Sequence, residues 1–327
     1  MVDILVIGAG LAGLSAGKKL ADTGYQVLVV DKGKSVVGRL ASRSLESASF
    51  DYGAQFMTAK DPRFLDQVNI WVSNGTAELW FRGYPGRSEN YKRWRGVPNM
   101  KELARSLAGA LNINTARHVL RITMQQGLWR VDFKDGSVIC ANNILLTPPV
   151  PQSLEIIDRG NTKLSQDQRF RLQQLTYDPC IAMLALLEGP SKIISPGILI
   201  PNSDDIDWIS DNMKKGVSQI PSVTIHASSD FSKTHFNEDS DEVGRKIIKL
   251  SKSMLGVAVK HFAIHRWRYS KPKYVDAERF MLIQNNPTLI IAGDAFAGPR
   301  VEGAFLSGYS AAEALIAHFE KHQAKSY

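Results

Sequence analysis

Six residues near the start of the chain restrict its fold more than any others: Gly8-Ala9-Gly10-Leu11-Ala12-Gly13. The apolar run Ile4-Leu5-Val6-Ile7 precedes them and reads as a buried strand of a parallel sheet. A helical pattern follows, with Leu14, Ala16 and Leu20 on one side and Lys18 and Lys19 on another, ending at Gly24. Gln26-Val27-Leu28-Val29-Val30 is a second strand, closed by Asp31. Strand, tight turn, helix, strand and acid in this order bind a dinucleotide. Gly8 permits the sharp turn, Gly10 lets backbone approach a pyrophosphate, and Gly13 lets helix and sheet pack closely. The helix start, with Leu11 and Ala12, offers free N–H groups and a positive dipole end to that anion. Asp31 lies 18 residues after Gly13, where a carboxylate can hold a ribose 2′-hydroxyl and would repel a 2′-phosphate.

The remaining composition narrows the class. The chain has 327 residues, enough for one large domain or two ordinary ones, and is 44% hydrophobic and 22% charged, which excludes a disordered or collagen-like chain. A net charge of +8 favours anionic partners. Two cysteines exclude a disulfide scaffold and a cysteine-rich zinc module. No apolar run approaches the ~18 residues of a membrane span. Met1-Val2-Asp3 is not the basic start of a secretory signal, so a soluble cytoplasmic protein is expected.

Three further segments bear on the cofactor. Downstream of Asp31 and Lys32 comes Gly38-Arg39-Leu40-Ala41-Ser42. At the other end, Thr288 to Ala292 reads as a strand ending in Gly293-Asp294, and Arg300-Val301-Glu302-Gly303-Ala304 opens a long helix. Between them, Asn143 to Leu146 is a strand ending in Thr147-Pro148-Pro149, preceded by a strand pair, His118 to Ile122 and Leu128 to Phe133, with an Asp135-Gly136 hairpin turn after it. Together these resemble the FAD-binding segments of the amine oxidase and protoporphyrinogen oxidase flavoprotein superfamily. The resemblance implies that Arg39 lies near the phosphates, that Asp294 contacts the ribityl chain, and that the Val301–Ala304 helix start supports the flavin ring. It also implies that backbone at Val119 holds the adenine, although from sequence alone Val119 reads as a core valine. Val37 stands where the family has the first glycine of Gly-Gly-Arg, Gly17 where it has alanine, and Asp31 where glutamate is commoner. A β-branched residue resists positive φ, so Val37 is the departure of most consequence.

Asp51-Tyr52-Gly53-Ala54-Gln55-Phe56-Met57-Thr58-Ala59-Lys60-Asp61 resembles the bacterial renalase-like flavoproteins. Further resemblance lies at Trp94 to Met100, Tyr177 to Cys180, Ile225 to Ser229 and His265-Arg266-Trp267. The resemblance implies an α/β fold: a Rossmann-like FAD-binding domain with a parallel sheet and helices, plus an α+β substrate domain on a mixed or antiparallel sheet. The expected division is residues 1–57, 96–150 and 284–327 for FAD, and 58–95 and 151–283 for substrate, with Pro148 to Pro151 as a stiff exit. Strands are expected at Val223 to His226 and Val259 to Ile264, and a helix at Lys246 to Leu255.

Ala54 and Gln55 are then expected against the flavin. Phe56, Met57, Thr58, Ala59, Lys60, Trp94, Cys180, His226, Trp267 and Ala297 are expected on the substrate side, Cys180 where a relative has threonine. The implied activity is oxidation of 2- or 6-dihydro isomers of NAD(P)H by hydride transfer to FAD, release of NAD(P)⁺, and reduction of dioxygen to hydrogen peroxide. Such a donor becomes aromatic on losing hydride, so no catalytic base is expected. The alternatives are an amine oxidase or desaturase of the same superfamily, or a non-catalytic flavin sensor. No amine-binding aromatic cage or flavin-proximal lysine can be placed from the sequence.

Other groups read more plainly. His226 either orients substrate or is a hydrogen-bonded structural histidine. The pairs His261/His265 and His318/His322 have no intervening acid, and no metal is expected. Lys92, Arg93 and Arg95 interleave with Tyr91 and Trp94, and Arg266 to Lys273 form a second basic-aromatic cluster. These are a solvated basic surface, a dinucleotide-substrate site or a nucleic-acid patch, and no nucleic-acid or membrane partner is expected.

Overall fold

The computed structural model describes residues 1–84, 89–296 and 298–323. β1 (Val2–Ile7), α1 (Leu11–Asp22) and β2 (Val27–Val30) form the strand–turn–helix–strand unit predicted at the start. A hairpin of β3 (Ser42–Leu45) and β4 (Ala48–Asp51) follows, then α2 (Pro62–Ser73), the paired β5 (Ala77–Arg82) and β6 (Lys92–Gly96), and α3 (Lys101–Ala108). The chain rejoins the first sheet with β7 (Asn112–Asn114), β8 (Val119–Gln125), β9 (Leu128–Phe133) and β10 (Val138–Leu146). Helices α4 (Val150–Arg159) and α5 (Gln166–Gln174) lead into β11 (Tyr177–Leu187), β12 (Ile198–Leu199), β13 (Ile206–Asp211) and β14 (Ser222–Ala227). Next come α6 (Ser229–His235), α7 (Ser240–Leu255) and β15 (Val259–Pro272). The last elements are β16 (Phe280–Asn285), β17 (Thr288–Ala292) and α8 (Arg300–Gln323).

The first sheet has the order β16-β17-β10-β1-β2-β7, with β9 joining β10 and β8. β17, β10, β1, β2 and β7 run parallel. β1 is buried on both faces, which is why it reads as an unbroken apolar run. Ile4 and Val6 face a core shared with α1, α2, α3 and α8, whereas Leu5 and Ile7 face one shared with β8, β9, α4 and α5. α1 and α8, from opposite ends of the chain, lie against each other. Buried Ser15 Oγ donates to the Phe305 carbonyl at 2.7 Å, and a side chain at Gly308 would stand 1.9 Å from the Ala12 carbonyl.

The second sheet is antiparallel throughout, in the order β12-β13-β14-β11-β15. Strand alternation gives it two different faces. Ile181, Met183, Ile209 and Ile225 pack under α6 and α7, and the opposite face covers the β3–β4 hairpin with Leu184 and Leu186.

Several local expectations are revised. The stiff Pro148 to Pro151 stretch leads straight into a helix: Pro149 is the N-cap of α4 and Pro151 lies in its first turn, where a missing N–H costs nothing. α7 begins earlier than expected because the Asp239 side chain accepts from the amides of Asp241 and Glu242. β15 continues eight residues past Ile264 to Pro272. Packing also crosses the expected domain limits. Phe64, Val68 and Trp71 of α2, and Ile156, Ile157 and Leu172 of α4 and α5, are buried in the cores of the first sheet, and β16 starts before residue 284. No helix among the described residues is long and apolar enough to cross a membrane.

Candidate functional site

At the C-terminal end of β1, Gly8 adopts φ +108°, and a Cβ on it would meet Thr147 Oγ1 at 2.5 Å. A Cβ on Gly13 would stand 1.9 Å from the Gly8 carbonyl oxygen. The turn therefore admits no side chain at either position. On Gly10 a Cβ would approach only the Gly38 Cα, at 3.9 Å, so this glycine borders open space. Gly10 gives α1 no side-chain cap and the first turn carries no acid, which leaves the opening amides for an external anion. Leu11 and Ala12 are buried, so their contribution here is backbone.

Asp31 accepts from the Ala9 amide with Oδ2 and from the Gly33 amide with Oδ1, both at 2.6 Å. It ties the glycine turn to the end of β2, and its remaining lone pairs can accept from ribose hydroxyls. Lys32 Nζ turns to Gln152 Oε1 of α4 at 3.1 Å. The Val37 departure is resolved by its neighbour: Val37 has φ −144°, and Gly38 takes the positive value, +50°. Arg39 and Asp294, 255 positions apart, meet in a bidentate pair at 2.6 and 2.8 Å, and the Tyr177 hydroxyl donates to the same carboxylate at 3.2 Å. Burial, reinforced by Asp294, holds the Tyr177 phenol protonated well above its ordinary range.

At the start of α8, Glu302 Oε1 accepts from the amides of Lys60 and Asp61 at 2.6 and 2.7 Å, joining the helix to the Gly53–Lys60 segment. Val301 is core, Ala304 packs beside that core, and Gly303 lies against the Gly298 carbonyl. Val119 is also a buried core residue, packed with Phe133. The open Gly10, the uncapped helix start and the carboxylates of Asp31 and Asp294 fit an adenine-dinucleotide flavin: residues 8–13 could hold its pyrophosphate and Asp31 its ribose.

Facing this cradle is the inner side of the five-stranded sheet. Register aligns Cys180 with Trp267, and Ala182 with both His226 and His265, while Trp208 pairs with His226. The β4 end and the Gly53–Gln55 turn fasten directly to this face. The Tyr52 carbonyl accepts from His226 Nε2 at 3.1 Å and Trp267 Nε1 at 2.9 Å, which places a proton on His226 Nε2. The Tyr52 ring stacks on Trp267 with centroids 5.3 Å apart. Ala54 N donates to the Arg39 carbonyl at 2.9 Å. The Gln55 amide is fully engaged: Nε2 donates to the Asp51 and Gly53 carbonyls, and Oε1 accepts from Ser210 Oγ at 2.8 Å and Lys215 Nζ at 3.2 Å.

The expected substrate residues thus separate. Phe56, Cys180, His226 and Trp267 lie on or against this inner face. Met57 and Trp94 bridge through their backbones and are buried in the α1-side core. Thr58 and Ala59 are half-buried, Lys60 is exposed with Nζ 5.3 Å from the Tyr91 ring centroid, and Ala297 lies outside the described residues. The basic-aromatic clusters are divided by strand alternation. Arg93 and Arg95 are buried, and Arg266 turns away from Trp267 to Ser240 Oγ and the Glu238 carbonyl.

Sequence reasoning missed a buried ion pair and most of an aromatic cluster. Lys215 Nζ is 2.8 Å from Asp51 Oδ2 with both side chains wholly buried. The same carboxylate accepts from Ser42 Oγ and the Met100 amide. Phe56 lies among Trp80, Phe81, Tyr84 and Trp208, with centroids 5.6–6.4 Å away. No spacing rule marks these residues, because their convergence depends on how the two sheets dock.

Burial governs titration across this face. It pushes His226 and His265 down to about 4 and, with Asp207 nearby, Cys180 up to about 12. Lys215 is also lowered by burial, which Asp51 offsets only in part. Both histidines and the thiol are therefore neutral near pH 7. Among the described residues no group of three or more His, Cys, Asp or Glu could hold a metal.

Residues 6–69 match the NAD(P)-binding Rossmann-like domain, and residues 71–316 match the flavin containing amine oxidoreductase family. Renalase from Mus musculus is 24% identical over 339 residues, covering 96% of this chain and 99% of the relative. A 4,4′-diapophytoene desaturase from Staphylococcus haemolyticus is 36% identical over 90 residues, 24% of this chain and 18% of its own. Among solved structures, a putative protoporphyrinogen oxidase from Exiguobacterium sp. superposes with a TM-score of 0.75 at 13% identity, covering 98% of this chain and 99% of the other. Putrescine oxidase bound to putrescine gives 0.73 at 13% identity, covering 97% and 99%. The two structures share the fold, and the family match spans more than half of the sequence. The chain therefore belongs to the flavin containing amine oxidoreductases and is renalase-like along its whole length.

Proposed function

We propose that this protein is an FAD-dependent oxidase of 2- and 6-dihydro isomers of NAD(P)H, releasing NAD(P)⁺ and reducing dioxygen to hydrogen peroxide. FAD, when bound, supplies a hydride acceptor that dioxygen can reoxidise. In this reading Gly8, Gly10 and Gly13, with the Leu11 and Ala12 amides, receive the pyrophosphate, and Asp31 receives the ribose. Arg39 and Asp294 serve the phosphates and ribityl chain, and Ala54, Gln55 and the Val301–Ala304 turn border the ring.

The observation that carries the proposal is the neutral inner face of the five-stranded sheet. His226 is held by the Tyr52 carbonyl and kept uncharged, His265 and Cys180 are likewise neutral, and Lys215 is bound to Asp51. This face has flat rings to stack a donor and exclude water, and its two histidines, lowered to about 4, are weak bases. That suits a dihydropyridine, whose own ring nitrogen expels the hydride. Full-length likeness to renalase supports the same substrate class.

Amine oxidation is the second reading, favoured by the aromatic cluster around Phe56. Against it stands Arg93, whose guanidinium carbon lies 3.9 Å from the Tyr84 centroid and 5.8 Å from that of Phe56. The guanidinium, paired with Glu89 at 3.3 Å, already occupies the ring face that an ammonium would use. Anaerobic mixing tests the two readings. The 2- and 6-dihydro isomers are expected to bleach the FAD-loaded enzyme, and air to restore the colour with stoichiometric peroxide. Bleaching by putrescine or benzylamine, with the isomers inert, would replace this reading with the other.

A further inference from the structure

Within the aromatic cluster two buried N–H groups have no acceptor: Arg93 Nε and Trp208 Nε1. Buried donors are almost always paired, so an unpaired one calls for an explanation. The neighbouring indole shows that the surroundings can supply a partner, because Trp80 Nε1 donates to the Pro196 carbonyl at 3.0 Å. Arg93 is 4% exposed. Its terminal nitrogens reach the Tyr91 carbonyl at 3.1 Å and Glu89 Oε1 at 3.3 Å, leaving Nε free. Arg93 and Trp208 flank the same two rings: Trp208 is 5.6 Å from Phe56 and 6.3 Å from Tyr84, and Arg93 stacks on both. Phe56 directly follows Gln55, so the cluster begins one residue from the segment assigned to the flavin.

We propose that Arg93 and Trp208 form a recognition site for a hydrogen-bond acceptor carried on a flat donor ring, such as a carboxamide or carboxylate, and that the Arg93 charge excludes ammonium compounds from it. The rings of Phe56 and Tyr84 supply stacking surface, the two N–H groups orient the substituent, and the resident cation sets the sign of charge admitted. This deepens the function proposed above and rests on it only in placing the flavin beside Gln55. A dihydronicotinamide carries such a carboxamide, and a simple alkylamine does not.

The test is equilibrium binding of four probes to the FAD-loaded enzyme, read from the visible flavin spectrum: nicotinamide, benzoate, toluene and benzylammonium. Nicotinamide and benzoate are expected to bind about ten-fold more tightly than toluene, with benzylammonium the weakest. Trp208→Phe keeps a ring and removes the N–H, and should reduce the advantage of nicotinamide over toluene about five-fold. Arg93→Met should remove the benzoate preference and strengthen benzylammonium about ten-fold. Equal binding of all four probes to the unmodified enzyme, or an unchanged nicotinamide-to-toluene ratio in Trp208→Phe, would overturn the site. If Arg93→Met fails to fold, the unmodified ranking and Trp208→Phe decide alone. A correct ranking with no bleaching by the dihydro isomers would keep this site and remove the reaction, and bleaching with a flat ranking would do the reverse.

Discussion

The glycine turn after β1 and the inner face of the five-stranded sheet are built from different materials. The turn works through backbone: three glycines, opening helix amides, and one aspartate that bonds only main-chain N–H groups. The sheet face works through side chains brought together by register from β11, β13, β14 and β15, and fastened to β4 by a buried ion pair and shared carbonyls. A backbone site tolerates almost no added atom. A side-chain site tolerates exchange of shape but little loss of a charge or hydrogen-bond partner.

The largest effect expected from this contrast is at Gly13. Gly13→Val places carbon atoms where the Gly8 carbonyl stands, and backbone on both sides cannot yield. A loss of more than about 5 kcal/mol is expected, enough to unfold a protein of ordinary stability. Urea denaturation and the yellow colour of the purified protein would read it, and a variant that still collects flavin would show that the turn is not a backbone site. Next is Lys215. Lys215→Met strands the Asp51 carboxylate in the interior and should cost about 3–5 kcal/mol. Adding Asp51→Asn should recover part of that loss, and a double variant no better than the single one would mean that shape, rather than charge, ties β4 to the second sheet.

The smallest effect concerns His226. Its folded pKa, about 4, lies below the unfolded value near 6.5, so the unfolded chain binds the proton more tightly. The associated stability is present above pH 6.5 and is lost as pH falls toward 4. Linkage puts the loss between pH 7 and pH 5 at about 2 kcal/mol. His226→Gln keeps a donor for the Tyr52 carbonyl and should flatten that part of the stability–pH curve. An unchanged slope would assign the acid sensitivity to another group.

The same contrast explains what the sequence discloses. The cradle is legible because close backbone approach demands glycine at fixed steps, and because strand, helix and strand around it carry their own periodicities. Phe56, Cys180, His226 and Trp267 are legible only through family resemblance. Lys214 and Lys215 mark the limit of local reading. They are adjacent and chemically identical, yet Lys214 reaches the Ser191 carbonyl from a partly exposed position while Lys215 is sealed against Asp51. No rule based on neighbours in sequence separates them. Similarly, β6 sends Trp94 into the hydrophobic core and Arg93 into the aromatic cluster, so a run that looks like one basic-aromatic patch serves two unrelated places.

The contact between α1 and α8 has a consequence for the birth of the molecule. β1 and α1 are made long before the elements that cover them, β10 and α8. Until then the nascent chain carries an unfinished parallel sheet with an exposed apolar flank, the kind of surface on which chaperones act. Acquisition of the cofactor is accordingly expected only once α8 has emerged and packed on α1.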